Sequence, residues 1–97
     1  MPTYVHLYKW TDQGIKDAKG VVERYERGRA AIEQAGGRIV GGWFTQGPYD
    51  AIGVIEWPDD ESASVYALRA GASGRIRTET MRAYTTGEMQ RLTDRLP

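Results

Sequence analysis

From Thr3 to Trp10 the chain alternates: Tyr4, His6, Tyr8 and Trp10 fall on one side, Val5, Leu7 and Lys9 on the other. A period of two predicts a strand. Val22, Tyr25, Gly28, Ile32 and Ala35 then recur at helical spacing, while Glu23, Arg24, Glu26, Arg27 and Arg29 fill the wet side. Thr11-Asp12 can cap the start of this stretch, Gly14 and Gly20 break or kink it, and Gly36-Gly37 ends it, as glycine does at helix C-termini.

Arg38–Thr45 and Ala51–Trp57 are rich in valine, isoleucine and aromatics, which fit a pleated, half-buried surface. Between them lies Gly47-Pro48-Tyr49-Asp50. Proline fixes φ, glycine reaches angles closed to other residues, and aspartate bonds its own backbone, so this is a turn closing a β-hairpin. Pro58-Asp59-Asp60-Glu61 opens a second helix, with Asp59 able to accept from free N–H groups. That helix has a small apolar face (Ala63, Tyr66, Ala67, Ala70) and ends at Gly71–Gly74. Arg75–Tyr84 reads as a threonine-rich edge strand. Thr85 with Glu88 is a capping-box spacing, which predicts a short terminal helix over Glu88–Leu96.

The order is β-α-β-β-α-β plus a tail helix: an α+β chain with the ferredoxin-like arrangement and a four-stranded antiparallel sheet. Strands one and three are expected in the middle. The register that puts Val5, Leu7, Ile52 and Val54 under the helices leaves Tyr4, His6, Tyr8, Ile55 and Trp57 on the open face. So much exposed aromatic surface calls for cover, and a second copy supplies it; a homodimer with facing sheets is the expectation.

Composition narrows the function classes. Ninety-seven residues (1–97) make a single domain, burying roughly 60–65% of its unfolded surface, so help from a partner is in keeping with its size. Thirteen basic and thirteen acidic residues cancel. That speaks against a nucleic-acid partner, and it removes net charge as a guide to the sign of any ligand. With no cysteine and one histidine, neither disulfides nor the usual zinc sets are available, and no metal or cofactor is expected. No leader-like start and no apolar run near the roughly 20 residues of a membrane span are visible; a cytoplasmic protein with no membrane contact is the simple reading.

Tyr4 with Lys9-Trp10-Thr11-Asp12-Gln13-Gly14, the Gly47-Pro48-Tyr49-Asp50 turn, Pro58-Asp59-Asp60-Glu61 and Arg77-Thr78-Glu79-Thr80-Met81-Arg82-Ala83 together resemble the GYD-domain proteins, with all blocks in order from Pro2 to about Thr86. Gly47, Tyr49 and Asp50 match the Gly-x-Tyr-Asp turn that gives the family its name. The resemblance implies a dimeric α+β barrel and says little about activity. His6, Trp57 and the lack of a proline near the start of the long helix depart from the pattern; the first two can remodel a pocket or an interface.

Asp50 and Tyr49 adjoin at the start of a central strand. A carboxylate that takes a proton beside a phenol that gives one can bind or polarise a small molecule; equally, Asp50 can bond turn amides while Tyr49 packs. His6 can act as a base near neutral pH, yet it lacks a nucleophile and an orienting acid, and fits a satisfied interface histidine. Gly71-Ala72-Ser73-Gly74-Arg75 lies at a helix C-terminus, the wrong end for phosphate. An RNA-recognition domain would stack bases on Tyr8 and Trp57, but the basic-Gly-aromatic pattern is missing.

The leading expectation is a homodimer binding a small, partly apolar molecule between sheet and helices. Trp43, Phe44, Tyr25, Tyr66 and Tyr49 would line the pocket, and Asp50 would anchor the ligand. One alternative is a cofactor-independent isomerase or monooxygenase using Asp50, Tyr49 or His6 for acid–base work. The other is a structural dimerisation or interaction module.

Overall fold

The alternating N-terminal segment forms strand β1 (Thr3–Trp10) in the computed structural model, which describes residues 1–97. After Thr11 the chain makes a short helix α1 (Asp12–Lys16), a 3-10 turn (Ala18–Gly20) and the long helix α2 (Val21–Gln34). The hairpin follows as β2 (Arg38–Phe44) and β3 (Ala51–Glu56), then α3 (Asp60–Ala72), the edge strand β4 (Ile76–Ala83) and a tail helix α4 (Thr86–Thr93).

Local signals end where the chemistry requires. Thr11 Oγ1 accepts from the Gly14 N–H, and Asp59 accepts from the Ser62 N–H, capping α1 and α3. Thr85 and Glu88 close the reciprocal capping box on α4, which therefore starts at Thr86 rather than at Glu88. Gly36 and Gly74 take φ of 89° and 77°, left-handed values that let the chain leave α2 and α3 without a Cβ penalty.

All pairings are antiparallel and the order is β2-β3-β1-β4, so β1 and β3 lie in the middle and the fold is ferredoxin-like. The core joins Tyr4, Ile55 and Trp57 of the sheet side with Ile32 of α2 and Ala63 of α3. His6 lies in the same layer, fully shut from solvent.

The face under the helices is thus the opposite of the one expected. Tyr4, His6, Ile55 and Trp57 point inward, while Val5, Leu7, Ile52 and Val54 are only partly covered, on the open side. The reason is volume. The inner side of α3 offers Ala63, Ala67 and Ala70, too small to fill the layer, so the sheet must supply the bulk and aromatic rings do it better than valine. Met81 joins the open face through its pairing with Val5, and Trp43 through its pairing with Ile52. The result is an exposed aliphatic patch on the open face, bordered by the Arg38–Glu56 ion pair.

One close approach locks α1 to the sheet. A Cβ on Gly14 would sit 1.9 Å from the Arg75 carbonyl oxygen, which already accepts from the Thr11 N–H at 3.0 Å. Gly28, in the middle of α2, has open space where its Cβ would be. Gly14→Ala should therefore cost about 3 kcal/mol through forced backbone displacement, whereas Gly28→Ala should gain roughly 0.5–1 kcal/mol. Urea unfolding of both variants checks this; a Gly14→Ala protein as stable as the parent would refute the close packing.

Candidate functional site

Small residues on the helices leave space as well as dictating which face is covered. Between the sheet and α2 and α3 lies a cavity of about 430 Å³, within the roughly 300–1,000 Å³ range of small-molecule sites. Tyr8, Trp10, Gly53 and Ile55 form the sheet side. Val21, Tyr25, Gly28 and Ile32 of α2 and Tyr66 and Ala70 of α3 form the opposite side. The Tyr25 and Phe44 rings meet edge to face at 5.8 Å, closing the side nearest β2.

Inside, the Tyr8 and Tyr66 hydroxyls bond each other at 2.6 Å. Burial raises both phenols above the ordinary tyrosine range, the neighbouring hydroxyl adding to the rise at Tyr8 and opposing it at Tyr66. They stay protonated at neutral pH and act as donors and acceptors of hydrogen bonds, not as bases.

Four arginines (Arg24, Arg29, Arg69, Arg75) are the charged residues of the lining, with no carboxylate among them. Arg75 is paired with Asp17 at 3.3 Å, and Arg29 with Glu33 at 3.4 Å. Arg24 donates to the Asp17 carbonyl, and neither Arg24 nor Arg69 has a carboxylate partner. Arg75 and, behind it, Arg24 hold the Asp17 carboxyl below its usual range, after the Gln13 amide that is its strongest partner.

The expected site residues separate into three places. Tyr25, Phe44 and Tyr66 line the cavity, and Trp43 borders it; a Cβ on Gly41 would meet the Trp43 ring at 2.7 Å, so the indole lies over that glycine, on the open face. Tyr49 and Asp50 stand outside, at the hairpin turn. Asp50 Oδ2 accepts from the Trp10 N–H at 2.8 Å, and its own N–H donates to the Tyr8 carbonyl, tying the turn to the end of β1. Tyr49 donates to Glu79 at 2.7 Å, which raises its pKa, and Lys9 Nζ lies 5.2 Å from its ring centre. His6 is in the core beneath.

Tyr8, Arg24 and Arg69 escaped the sequence reading as lining residues, and Arg75, with Arg77 and Arg82, read as a partner in ion pairs rather than as a ligand contact. Their signal was positional: Arg24 follows the start of a helix, Arg69 precedes the end of one and Arg75 opens a strand. In β-α-β-β-α-β topology those three places share one end of the sheet.

His6 has a defined protonation state. The Trp57 indole can only donate, and its Nε1 lies 3.1 Å from His6 Nε2. Nε2 must therefore carry a lone pair, and the imidazole proton sits on Nδ1, facing Thr80 Oγ1 at 2.9 Å. Burial lowers the His6 pKa from 6.5 to about 4.

Fold and cavity together define an α+β protein of ferredoxin-like topology with a ligand-sized space between its two layers. The chain belongs to the GYD domain family, which it matches over residues 4–93. It is similar to a Thermus thermophilus protein named glutamine synthetase and cystathionine beta-lyase binding protein, 28% identical over 90 residues that span 92% of this chain and 95% of that one. No solved structure matches it.

The buried histidine gives a pH dependence of fixed sign. Its folded pKa lies below its unfolded one, so between pH 6.5 and 4 the unfolded chain binds the extra proton. Its contribution is full above 6.5 and is lost as pH falls toward 4, by about 3 kcal/mol in all. Urea unfolding at pH 7 and 4.5 should show most of that loss in the parent and much less in His6→Gln; equal losses would remove His6 as the cause.

Proposed function

We propose that this chain is a binding protein that works as a homodimer and holds a small, partly apolar molecule between its sheet and helices. The observation that carries the reading is the 430 Å³ cavity, lined by aromatic and aliphatic side chains with a few polar groups, as ligand sites are. The Tyr8–Tyr66 pair supplies an internal polar contact that can fix a ligand's orientation without moving protons. Proton-transfer catalysis by Asp50, Tyr49 or His6 is less well supported, because none of the three lines the cavity.

Dimerisation rests on the open face. Val5, Leu7, Ile52, Val54 and Met81 form a contiguous aliphatic surface, which water disfavours and a second sheet can cover. A second reading, docking onto another protein, draws on the name of the Thermus relative and on the same surface.

Native mass spectrometry of freshly purified protein tests the main reading. A dimer with added mass that vanishes under denaturing conditions is expected; a cavity that stays empty against a library of small apolar compounds would sink it. Val54→Glu should convert the dimer to monomer in sedimentation velocity while leaving the far-UV spectrum intact. A dimer that survives this change would move the interface elsewhere, and a parent protein that sediments as a monomer would leave the open face to a different partner.

A further inference from the structure

The lining of the cavity is more selective than its apolar character alone requires. The chain carries equal numbers of acidic and basic residues, yet the cavity draws four arginines and no carboxylate. Three of them gather at one end. Trp10, the last residue of β1, pairs with Ile76, the first of β4; Arg75 stands just before that strand, Arg69 is in the last turn of α3, and Arg24 is at the start of α2. Arg75 spends its charge on Asp17, and Arg24 gives one N–H to the Asp17 carbonyl. Arg69 makes no ion pair and no side-chain hydrogen bond to the rest of the chain. Arg69 thus lacks a counter-charge, and Arg24 shares the single Asp17 carboxylate with Arg75; a guanidinium fork matches a carboxylate better than any other small partner.

We infer that the ligand is an amphipathic anion: a ring-bearing or otherwise apolar body that fills the cavity, and one carboxylate that lies at the Arg24–Arg69 end. This rests on the cavity being the binding site, as proposed above, and adds the sign and position of the ligand's polar head. The Tyr8–Tyr66 pair is left to a neutral polar group deeper in the body.

Three probes of one shape separate the two statements: naphthalene-2-carboxylate, 2-naphthalenemethanol and 2-naphthalenemethylammonium, titrated calorimetrically into the intact protein at low salt. The carboxylate should bind about tenfold or more tighter than the alcohol, the return of a charge-assisted hydrogen bond, and the ammonium weakest. Arg69→Gln should remove most of the carboxylate's advantage while the alcohol changes less than about twofold; Arg69→Lys should keep part of it. Arg69 is exposed, so neither variant threatens folding. Equal binding of carboxylate and alcohol, or an advantage that survives in both Arg69→Gln and Arg24→Gln, overturns the anionic head and leaves the apolar site standing. If none of the three binds, the cavity is not the site, and both statements fall together.

Discussion

A buried indole N–H needs an acceptor, and here the one within reach is Nε2 of His6. Left unmade, that bond would cost about 1–3 kcal/mol; made, it requires both rings to be on the same side of the sheet, under the helices. Because side chains alternate, this choice fixes every other residue of β1 and β3 as well. Tyr4 and Tyr8 go inward with His6, and Val5, Leu7, Ile52 and Val54 go outward. The remaining polar atoms of the layer are then satisfied locally: Tyr4 donates to Asp60, Tyr8 and Tyr66 bond each other, and His6 Nδ1 meets Thr80. No buried side-chain polar atom is left without a partner. The core is a hydrogen-bonded aromatic layer more than an aliphatic one.

That choice explains what was and was not legible in the sequence. Element order, the hairpin, the caps at Thr11, Asp59 and Thr85 and the family were readable because each depends on neighbours a few residues apart. Element ends came out within a residue or so in the strands, for the same reason. The covered face was not. A hydrophobicity argument ranks valine and leucine above histidine and tyrosine, and both faces of β1 carry enough apolar surface to be buried. What decides is the facing layer: alanines on α3 demand large partners, and the Trp57–His6 bond makes a polar ring acceptable inside. Both facts belong to pairs of residues some fifty positions apart, and periodicity along one strand does not contain them.

The candidate site shows the same division. Tyr25, Phe44 and Tyr66 were legible as lining because large rings beside small residues in a two-layer fold have nowhere else to go. Asp50 and Tyr49 looked chemical by residue type, but the structure gives each a local structural partner, the Trp10 amide for one and Glu79 for the other. Arg24 and Arg29 looked like an ordinary wet helix face, and Arg75 like part of a charged edge strand. Their convergence comes from topology alone, since α2 begins, α3 ends and β4 starts at the same edge of the sheet.

The cavity persists because its two walls are held apart at fixed points. Ring contacts between Tyr25 and Phe44 and the hydroxyl contact between Tyr8 and Tyr66 act as spacers between sheet and helices. Below them, Trp57 and Tyr66 pack with ring centres 5.2 Å apart. For the helices to collapse onto Gly53 and Ala51, these ring contacts and the Tyr8–Tyr66 hydrogen bond would have to break. Empty space of this size is costly in a domain so small, where only eight residues are buried. The same aromatic side chains that the small helices require therefore keep the space open. A chain selected for stability alone would fill it by enlarging Gly28, whose Cβ has room, or the alanines of α3. Their small size is the physical reason the space between the layers stays open.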